Sequence, residues 1–170
     1  GNEERAAGLE TTYGGLAFRA LRPLVAAVTG APVPLWLEGR SEPVNCQLYL
    51  PAGAVLCLGS ATSGVRSYVA IRGGIDVSCV LGSRSTDQLA GLGPAIPVRG
   101  SILPVGSATG PYPPVGVAPV AGPCATDLTL HILLGPRDDW FTDRAIERLL
   151  TTSFKVSTDS NRVGIRLNGP

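Results

Sequence analysis

Glycine and proline interrupt this chain so closely that few stretches between them could form a long amphipathic helix. The 170 residues include 22 glycines and 15 prolines. Glycine adopts positive φ angles at little cost, and proline has no backbone N–H to donate, so both favour turns between short strands. We predict one clear helix, over residues 143–151, with Thr142 as its N-cap. The sequence therefore predicts a mainly β fold.

Short apolar runs mark the strands. We read residues 9–13, 16–21 and 24–29 as a meander, because Gly14-Gly15 and Arg22-Pro23 separate them. Residues 1–8 are polar and are expected to be frayed. The remaining predicted strands cover residues 54–58, 67–71, 128–134, 154–157 and 163–167, and the one at 128–134 should be mostly buried.

Residues 107–126 are rich in proline and glycine and have no periodicity, so they are predicted to be a linker between residues 1–106 and 127–170. One internal similarity precedes the linker. Residues 53–62 (GAVLCLGSAT) recur as residues 100–109 (GSILPVGSAT), which suggests two turn-and-strand units in similar surroundings. The chain begins with glycine and contains no methionine, and we therefore expect it to be an excised piece of a longer protein or the product of tag cleavage.

The composition argues against several classes of partner. A formal net charge of +1 gives nucleic acid no bulk electrostatic attraction. No apolar run approaches the roughly 18 residues of a membrane span. The four cysteines are irregularly spaced and only one histidine is present, so we predict no metal site. Buried thiols in a cytoplasmic protein are the expectation for these cysteines.

The first candidate site follows the predicted strand at 67–71. The chain runs through Arg72-Gly73-Gly74 into a loop that presents Ser83, Arg84, Ser85 and Asp87. A polar loop delivered by a rigid β scaffold is a common place for binding. The alternative is a capped turn, in which the hydroxyls and the carboxylate accept hydrogen bonds from nearby backbone N–H groups. The sequence leaves both interpretations open.

Other candidates lie near the C-terminus. Arg137, in a Gly-Pro-Arg-Asp-Asp turn, could orient a polar substrate or form a solvated ion pair. If residues 163–167 are a strand, Arg162 and Arg166 share one face with Cα atoms roughly 13 Å apart. Two guanidinium groups, with Ser160 and Asn161 beside them, suit a carboxylate or a planar ureido or lactam group. An exposed strand with ion-paired arginines is the alternative, and no catalytic residue is identified.

Four blocks of this sequence resemble successive signature blocks of one family. They are residues 73–77 (GGIDV), 81–86 (LGSRST), 135–141 (GPRDDWF) and 160–167 (SNRVGIRL). The chain is similar, from about Ala7 onward, to the allophanate hydrolase subunit 2 family. That family includes KipA-like proteins, the C-type subunit of 5-oxoprolinase and the second half of the urea carboxylase carboxyltransferase region.

The resemblance implies two cyclophilin-like β-barrels in tandem. Members begin before Gly1 and continue past Pro170, which implies that this chain is partly truncated. Residues 1–106 would form a first barrel that lacks its opening strands, residues 107–126 the linker, and residues 127–170 the start of the second barrel.

The resemblance also implies a function. A hydrolase subunit would act on C–N bonds of small amide or ureido compounds, together with a KipI-like partner. The complex would use ATP, although this chain has no recognisable nucleotide or biotin motif. Alternatives within the family are the half of a carboxyltransferase that moves a carboxyl group from carboxybiotin to urea, and a KipA-like regulator that antagonises a kinase inhibitor.

Overall fold

The computed structural model describes residues 2–108, 110–112, 114, 116–122 and 129–169. The chain divides into two compact units, Gly1–Thr126 and Asp127–Pro170. The strands of the first unit are β1 Leu9–Thr12, β2 Ala17–Arg19, β3 Leu24–Gly30, β4 Leu35–Leu37, β5 Arg40–Glu42, β6 Leu48–Leu50, β7 Val55–Leu58 and β8 Arg66–Ile71. The second unit contains a 3-10 turn at Asp138–Trp140, α1 Asp143–Thr151, β9 Lys155–Val156 and β10 Leu167–Asn168. The prediction of a mainly β fold is confirmed.

The first unit is built from two antiparallel sheets. One has the strand order β1-β8-β3-β6 and the other β2-β7-β4-β5. The predicted meander is wrong, because β1 pairs with β8 and β2 with β7 rather than with each other. An apolar pattern specifies which face of a strand is buried, but it does not specify the neighbouring strand.

Side chains from both sheets meet in one hydrophobic core. Alternate residues of β8 are buried, namely Ser67, Val69 and Ile71, while the residues between them face outward. This alternation is typical of antiparallel strands with one solvated face. The core also contains Leu48 and Leu50 of β6, Leu35 of β4, and Leu56 and Leu58 of β7. Gly73 and Gly74 therefore follow a strand that is firmly held on one face.

The described part of residues 107–126 is hydrogen-bonded to other segments of the first unit. Gln47 donates its backbone N–H to Gly116 (3.1 Å), and Ala118 donates to Asn45 (2.8 Å). The Arg72 guanidinium lies 3.9 Å from the centroid of the Tyr112 ring. Among the described residues, each sheet of the first unit has four strands, and no strand pairing joins the two sheets into a barrel. The cyclophilin-like barrel therefore stays a prediction, as does the boundary at residue 106.

The second unit confirms the helix and corrects two strands. The Thr142 hydroxyl accepts a hydrogen bond from Ala145 N at 3.3 Å, as an N-cap should. Leu128 lies outside the described residues, and residues 129–134 are exposed and form no strand. Their apolar side chains find no covering layer within the described part of this unit. Residues 163–166 are also not a strand, because a tight turn occupies that segment.

Candidate functional site

A two-glycine turn at the end of β8 forms one wall of the candidate site. Gly73 and Gly74 have φ angles of 95° and 72°, in the region that favours glycine. A Cβ atom added to Gly73 would overlap the carbonyl oxygen of Gly106. Gly106 in turn donates its N–H to Gly74 O at 3.0 Å. Only a residue without a side chain permits this approach of two backbone segments.

Ile75 lies between two other segments just beyond the turn. Its N–H donates to Ala7 O at 2.9 Å, and isolated β-bridges join it to both Ala7 and Val105. The N-terminal segment is therefore placed along the turn. The expectation that residues 1–8 are frayed is wrong for the described residues 2–8.

Asn2 fixes this N-terminal segment to the turn. Its side-chain amide donates to Ile71 O at 2.7 Å, and its Oδ1 accepts from Gly73 N at 2.8 Å. One side chain thus satisfies a donor and an acceptor on either side of Arg72. The two-glycine turn gains a partner some 70 residues away in the sequence.

We expect the substitution Asn2→Ala to loosen the two-glycine turn. Loss of both bonds should destabilise the first unit by about 1–2 kcal/mol, and the Gly73 amide should exchange with solvent faster. Hydrogen exchange followed residue by residue measures this. Asn2→Asp is the matched control, because it keeps an acceptor for Gly73 N–H and loses the donor to Ile71. Equal protection of Gly73 in the wild-type and Asn2→Ala proteins would contradict the assigned role.

Arg84 closes the other side of the site. Its Nε donates to Val77 O at 2.9 Å and its Nη1 donates to Arg5 O at 3.3 Å. The guanidinium therefore ties the loop that follows the turn to the N-terminal segment. Five N–H groups are available on a guanidinium, so these two bonds leave further donors for a ligand.

These segments enclose a cavity of about 130 Å³. Residues with polar side chains that line it include Asn2, Glu3, Arg5, Asp76, Arg84 and Ser107. A second cavity, of about 720 Å³, shares Arg5 and Arg84 with the first, and Glu4, Cys79 and Ser83 also line it. The candidate site is thus polar and carries charges of both signs.

The other predicted residues of the first unit have mostly local roles. Ser83 Oγ accepts from Ser85 N at 3.0 Å. Asp87 Oδ1 accepts from Leu89 N at 2.9 Å and Ala90 N at 3.2 Å. For Ser83 and Asp87 the structure thus matches the capped-turn alternative. Of the four predicted loop residues, Ser83 and Arg84 line the cavities.

The predicted residues of the second unit lie in turns. The Arg137 guanidinium lies 5.2 Å from the centroid of the Trp140 ring. Asn161 Oδ1 accepts from the backbone N–H groups of Val163 and Gly164, and Ser160 Oγ accepts from Arg166 N. These bonds form a tight turn between β9 and β10. The interpretation that Arg162 and Arg166 share a strand face is therefore wrong.

Arg84 belongs to the first unit, whereas Arg162 and Arg166 belong to the second. Their joint action on one ligand stays a prediction. Sequence reasoning missed five cavity residues with polar side chains, namely Asn2, Glu3, Arg5, Asp76 and Ser107. One signal was available for Ser107, since it lies in the second of the two repeated sequence segments.

The described cysteines differ in exposure. Cys46 and Cys57 are half-buried, Cys79 is exposed, and all three are free thiols, so the expectation of buried thiols is wrong for Cys79. Burial, and secondarily the negative charge of Glu42, raise the pKa of the Cys46 thiol. That thiol donates to Pro43 O at 3.2 Å. Cys124 lies outside the described residues.

Among the described residues, no group of three or more His, Cys, Asp or Glu side chains is arranged so that it could hold a metal ion. Among the same residues, no helix has the length and apolarity that crossing a membrane requires.

The fold and the cavity define an antiparallel β domain with a small polar cavity beside a two-glycine turn. Residues 1–170 match the family described as "carboxyltransferase domain, subdomain A and B". The chain belongs to this carboxyltransferase domain family.

Similar proteins confirm the resemblance seen in the sequence. The urea amidolyase of Saccharomyces cerevisiae is 30% identical over 187 residues, which cover 100% of this chain and 10% of that protein. The C-type subunit of 5-oxoprolinase from Escherichia coli is 32% identical over 176 residues, which cover 99% of this chain and 54% of that protein. The crystal structure of the K. lactis urea amidolyase superposes with a TM-score of 0.75 at 32% identity, covering 100% of this chain and 11% of that one. The chain thus spans only part of the length of each of these proteins.

Proposed function

We propose that this protein is a non-autonomous subunit of a heteromeric enzyme of the 5-oxoprolinase type, which opens 5-oxoproline to glutamate in a reaction driven by ATP. One observation carries the proposal. The similarity to the C-type subunit of 5-oxoprolinase spans 99% of this chain and 54% of that protein, whereas the similarity to urea amidolyase spans 10% of the latter. Over half of a dedicated subunit is a closer functional context than a tenth of a multifunctional enzyme.

In this proposal the chain binds and orients the substrate rather than supplying a nucleophile. The sequence proposes Ser83, Arg84, Ser85 and Asp87 of the first unit and Arg137, Ser160, Asn161, Arg162 and Arg166 of the second unit for this role, and of these Ser83 and Arg84 line the cavities. Guanidinium and amide groups would hold the substrate carboxylate and amide, and would stabilise an oxyanion that develops at the carbonyl. A KipI-like subunit would complete the enzyme, and the complex would work in the cytoplasm.

The complex would use ATP. Sites for drug-sized ligands have volumes of about 300–1,000 Å³, whereas the cavity beside the two-glycine turn has about 130 Å³. That cavity therefore suits a small substrate better than a nucleotide or biotin. The second cavity, of about 720 Å³, is within the range of larger ligands.

The second candidate function is carboxyl transfer from carboxybiotin to urea. The family description and the 30% identity to urea amidolyase favour it. The same arginines would then hold a carboxylate or a ureido group, and a biotin-carrier segment would have to deliver the carboxyl group.

We expect the full-length protein, copurified with its KipI-like partner and the remaining subunits, to convert 5-oxoproline to glutamate. Glutamate should be formed only when ATP, this subunit and the partner are all present. The assay compares 5-oxoproline, urea and allophanate in parallel reactions, with each component left out in turn as the control.

Two outcomes would reject the first candidate. Turnover of urea that requires a biotin carrier would establish the carboxyltransferase function. No turnover of any of the three compounds, together with relief of a kinase inhibitor by this protein, would identify a KipA-like regulator.

A further inference from the structure

The two-glycine turn at the cavity has a counterpart in the same unit. Gly14-Gly15 follows β1 in the way that Gly73-Gly74 follows β8, with φ angles of 80° and 78°. The facing segments are the two similar stretches of the sequence. Residues 57–61 lie opposite the first turn, and residues 104–106 lie opposite the second.

The close approach of backbone segments is the same at the two turns, although the hydrogen bond differs in direction: Gly15 N–H donates to Gly59 O at 3.3 Å, whereas Gly106 N–H donates to Gly74 O at 3.0 Å. A Cβ on Gly14 would overlap the carbonyl oxygen of Gly59, just as a Cβ on Gly73 would overlap that of Gly106. Gly59 and Gly106 hold the same place in the repeated sequence, in Gly-Ser-Ala-Thr.

The register of the following residues corresponds as well. Ala17, three residues after Gly14, is paired with Cys57 in the β2–β7 ladder. Asp76, three residues after Gly73, donates its N–H to Pro104 O at 2.9 Å. The first unit therefore contains one structural element twice.

The two copies differ in what packs against the glycine that faces the turn, which is Gly59 in the first copy and Gly106 in the second. A Cβ on Gly59 would lie 2.9 Å from Cζ3 of the Trp36 ring, so the indole packs directly on that glycine. The equivalent point on Gly106 lies 2.6 Å from the backbone oxygen of Gly73, and Asp76 Cβ, at 3.9 Å, is the nearest side-chain atom. The Trp36 side chain thus covers the first copy, whereas Gly73, Gly74, Ser107 and Ala108 of the second copy line the 130 Å³ cavity.

We propose that this second copy is the binding site for a small ligand that carries both a carboxylate and an amide N–H, as 5-oxoproline does. The inference rests on the proposed function and deepens it by assigning a ligand class to a particular cavity. The first copy shows that this backbone arrangement can be closed by an aromatic side chain. The cavity at the second copy is therefore not a requirement of the repeated element.

Two guanidinium groups, those of Arg5 and Arg84, and two carboxylates, those of Glu3 and Asp76, line the cavity. Arg5 lines it, and its guanidinium has no partner among the described residues. Arg84 has further N–H groups beyond the two that bind backbone carbonyls. Guanidinium donors bind carboxylates through strong charge-assisted hydrogen bonds. Asp76 supplies an exposed carboxylate that can accept an amide N–H.

The volume of the cavity also limits the size of the ligand. A volume of about 130 Å³ lies below the roughly 300–1,000 Å³ of sites for drug-sized ligands. A five-membered lactam with one carboxylate is of this order of size. Urea would also enter, but it has no carboxylate for the arginines, so charge and not size separates the two.

The test is a binding titration of the full-length subunit, without ATP or partner subunits. The probes are 5-oxoproline and 2-pyrrolidinone, which is the same lactam without the carboxylate. We expect 5-oxoproline to bind at least about tenfold more tightly, and Arg5→Gln to raise its Kd by about tenfold. Arg99→Gln is the matched control, because Arg99 is exposed and lines neither cavity. It should leave the Kd unchanged.

Arg5→Gln keeps the backbone carbonyl that Arg84 binds, and an unchanged unfolding midpoint will confirm that the variant folds. Equal affinity for the two lactams, or an equal effect of the two arginine substitutions, would overturn the inference. If the complete enzyme turns over 5-oxoproline while the Arg5→Gln subunit binds it normally, the inference fails and the proposed function stands. If Arg5→Gln weakens carboxylate binding but the complex does not act on 5-oxoproline, the site stands and the proposed function fails.

Discussion

Replacement of Gly73 by alanine is expected to destabilise the first unit by on the order of 3 kcal/mol. Two costs add in this variant. The φ angle of 95° is unfavourable for any residue with a Cβ atom, at about 1 kcal/mol. The new methyl group would also overlap the carbonyl oxygen of Gly106, and overpacking costs about 1–3 kcal/mol.

Gly82→Ala separates these two costs. Gly82 has a φ angle of 79°, but a Cβ there would meet nothing within 4 Å. It should therefore lose only about 1 kcal/mol. Urea denaturation combined with hydrogen exchange at β8 measures both variants. Equal destabilisation by the two substitutions would show that the approach of Gly106 has no energetic role.

Local features of the fold could be predicted because their causes are local. The N-cap hydroxyl of Thr142 and the acidic Asp143 stand directly before an apolar helical pattern, and the helix begins there. The strand that ends at Arg72-Gly73-Gly74 was predicted from its apolar run and the glycines that follow it. In these cases the residues that determine the structure are neighbours in the sequence.

The position of Asn2 could not be predicted in this way. Its two hydrogen-bond partners, Ile71 and Gly73, are about 70 residues away. Nothing in a polar stretch next to an end of the chain indicates that a long-range backbone contact will hold it. The cavity wall formed by residues 2–7 was therefore missed, and with it Arg5.

The turn at residues 160–166 shows a different kind of error. An apolar alternation at Val163, Ile165 and Leu167 suggested a strand, but Asn161 and Gly164 stand three residues apart within it. Asn161 accepts bonds from the N–H groups of Val163 and Gly164, which closes a turn before β10 begins at Leu167. The turn signal was present and outweighs the short alternating pattern.

The arginines of this chain serve the backbone more than the sequence suggested. Arg19, Arg22, Arg72 and Arg84 each donate to a backbone carbonyl, those of Gly53, Val105, Gly110 and Val77 respectively. A planar guanidinium can hold two segments together because its N–H groups point in several fixed directions. An arginine in a polar loop is therefore not by itself evidence for a ligand. Arg5 is the better candidate because it lines the cavity and its guanidinium makes no such bond among the described residues.

The substitution Leu56→Ala should have the largest effect in the hydrophobic core. Leu56 is fully buried on β7, between β2 and β4 in the second sheet. Truncation of a buried leucine removes its transfer free energy and leaves a cavity, so we expect a loss of about 2–5 kcal/mol in the free energy of unfolding. Leu81→Ala is the matched control, since Leu81 is 90% exposed, and it should change stability by less than about 0.5 kcal/mol. Urea denaturation, with hydrogen exchange at the β7 amides, gives both values.

Because β7 leads directly into the Gly59 segment that Trp36 closes, the Leu56→Ala variant should lose protection at Gly14 and Gly15 as well. Retained protection at these glycines, with β7 itself destabilised, would show that the closed copy of the repeated element is stable independently of the core.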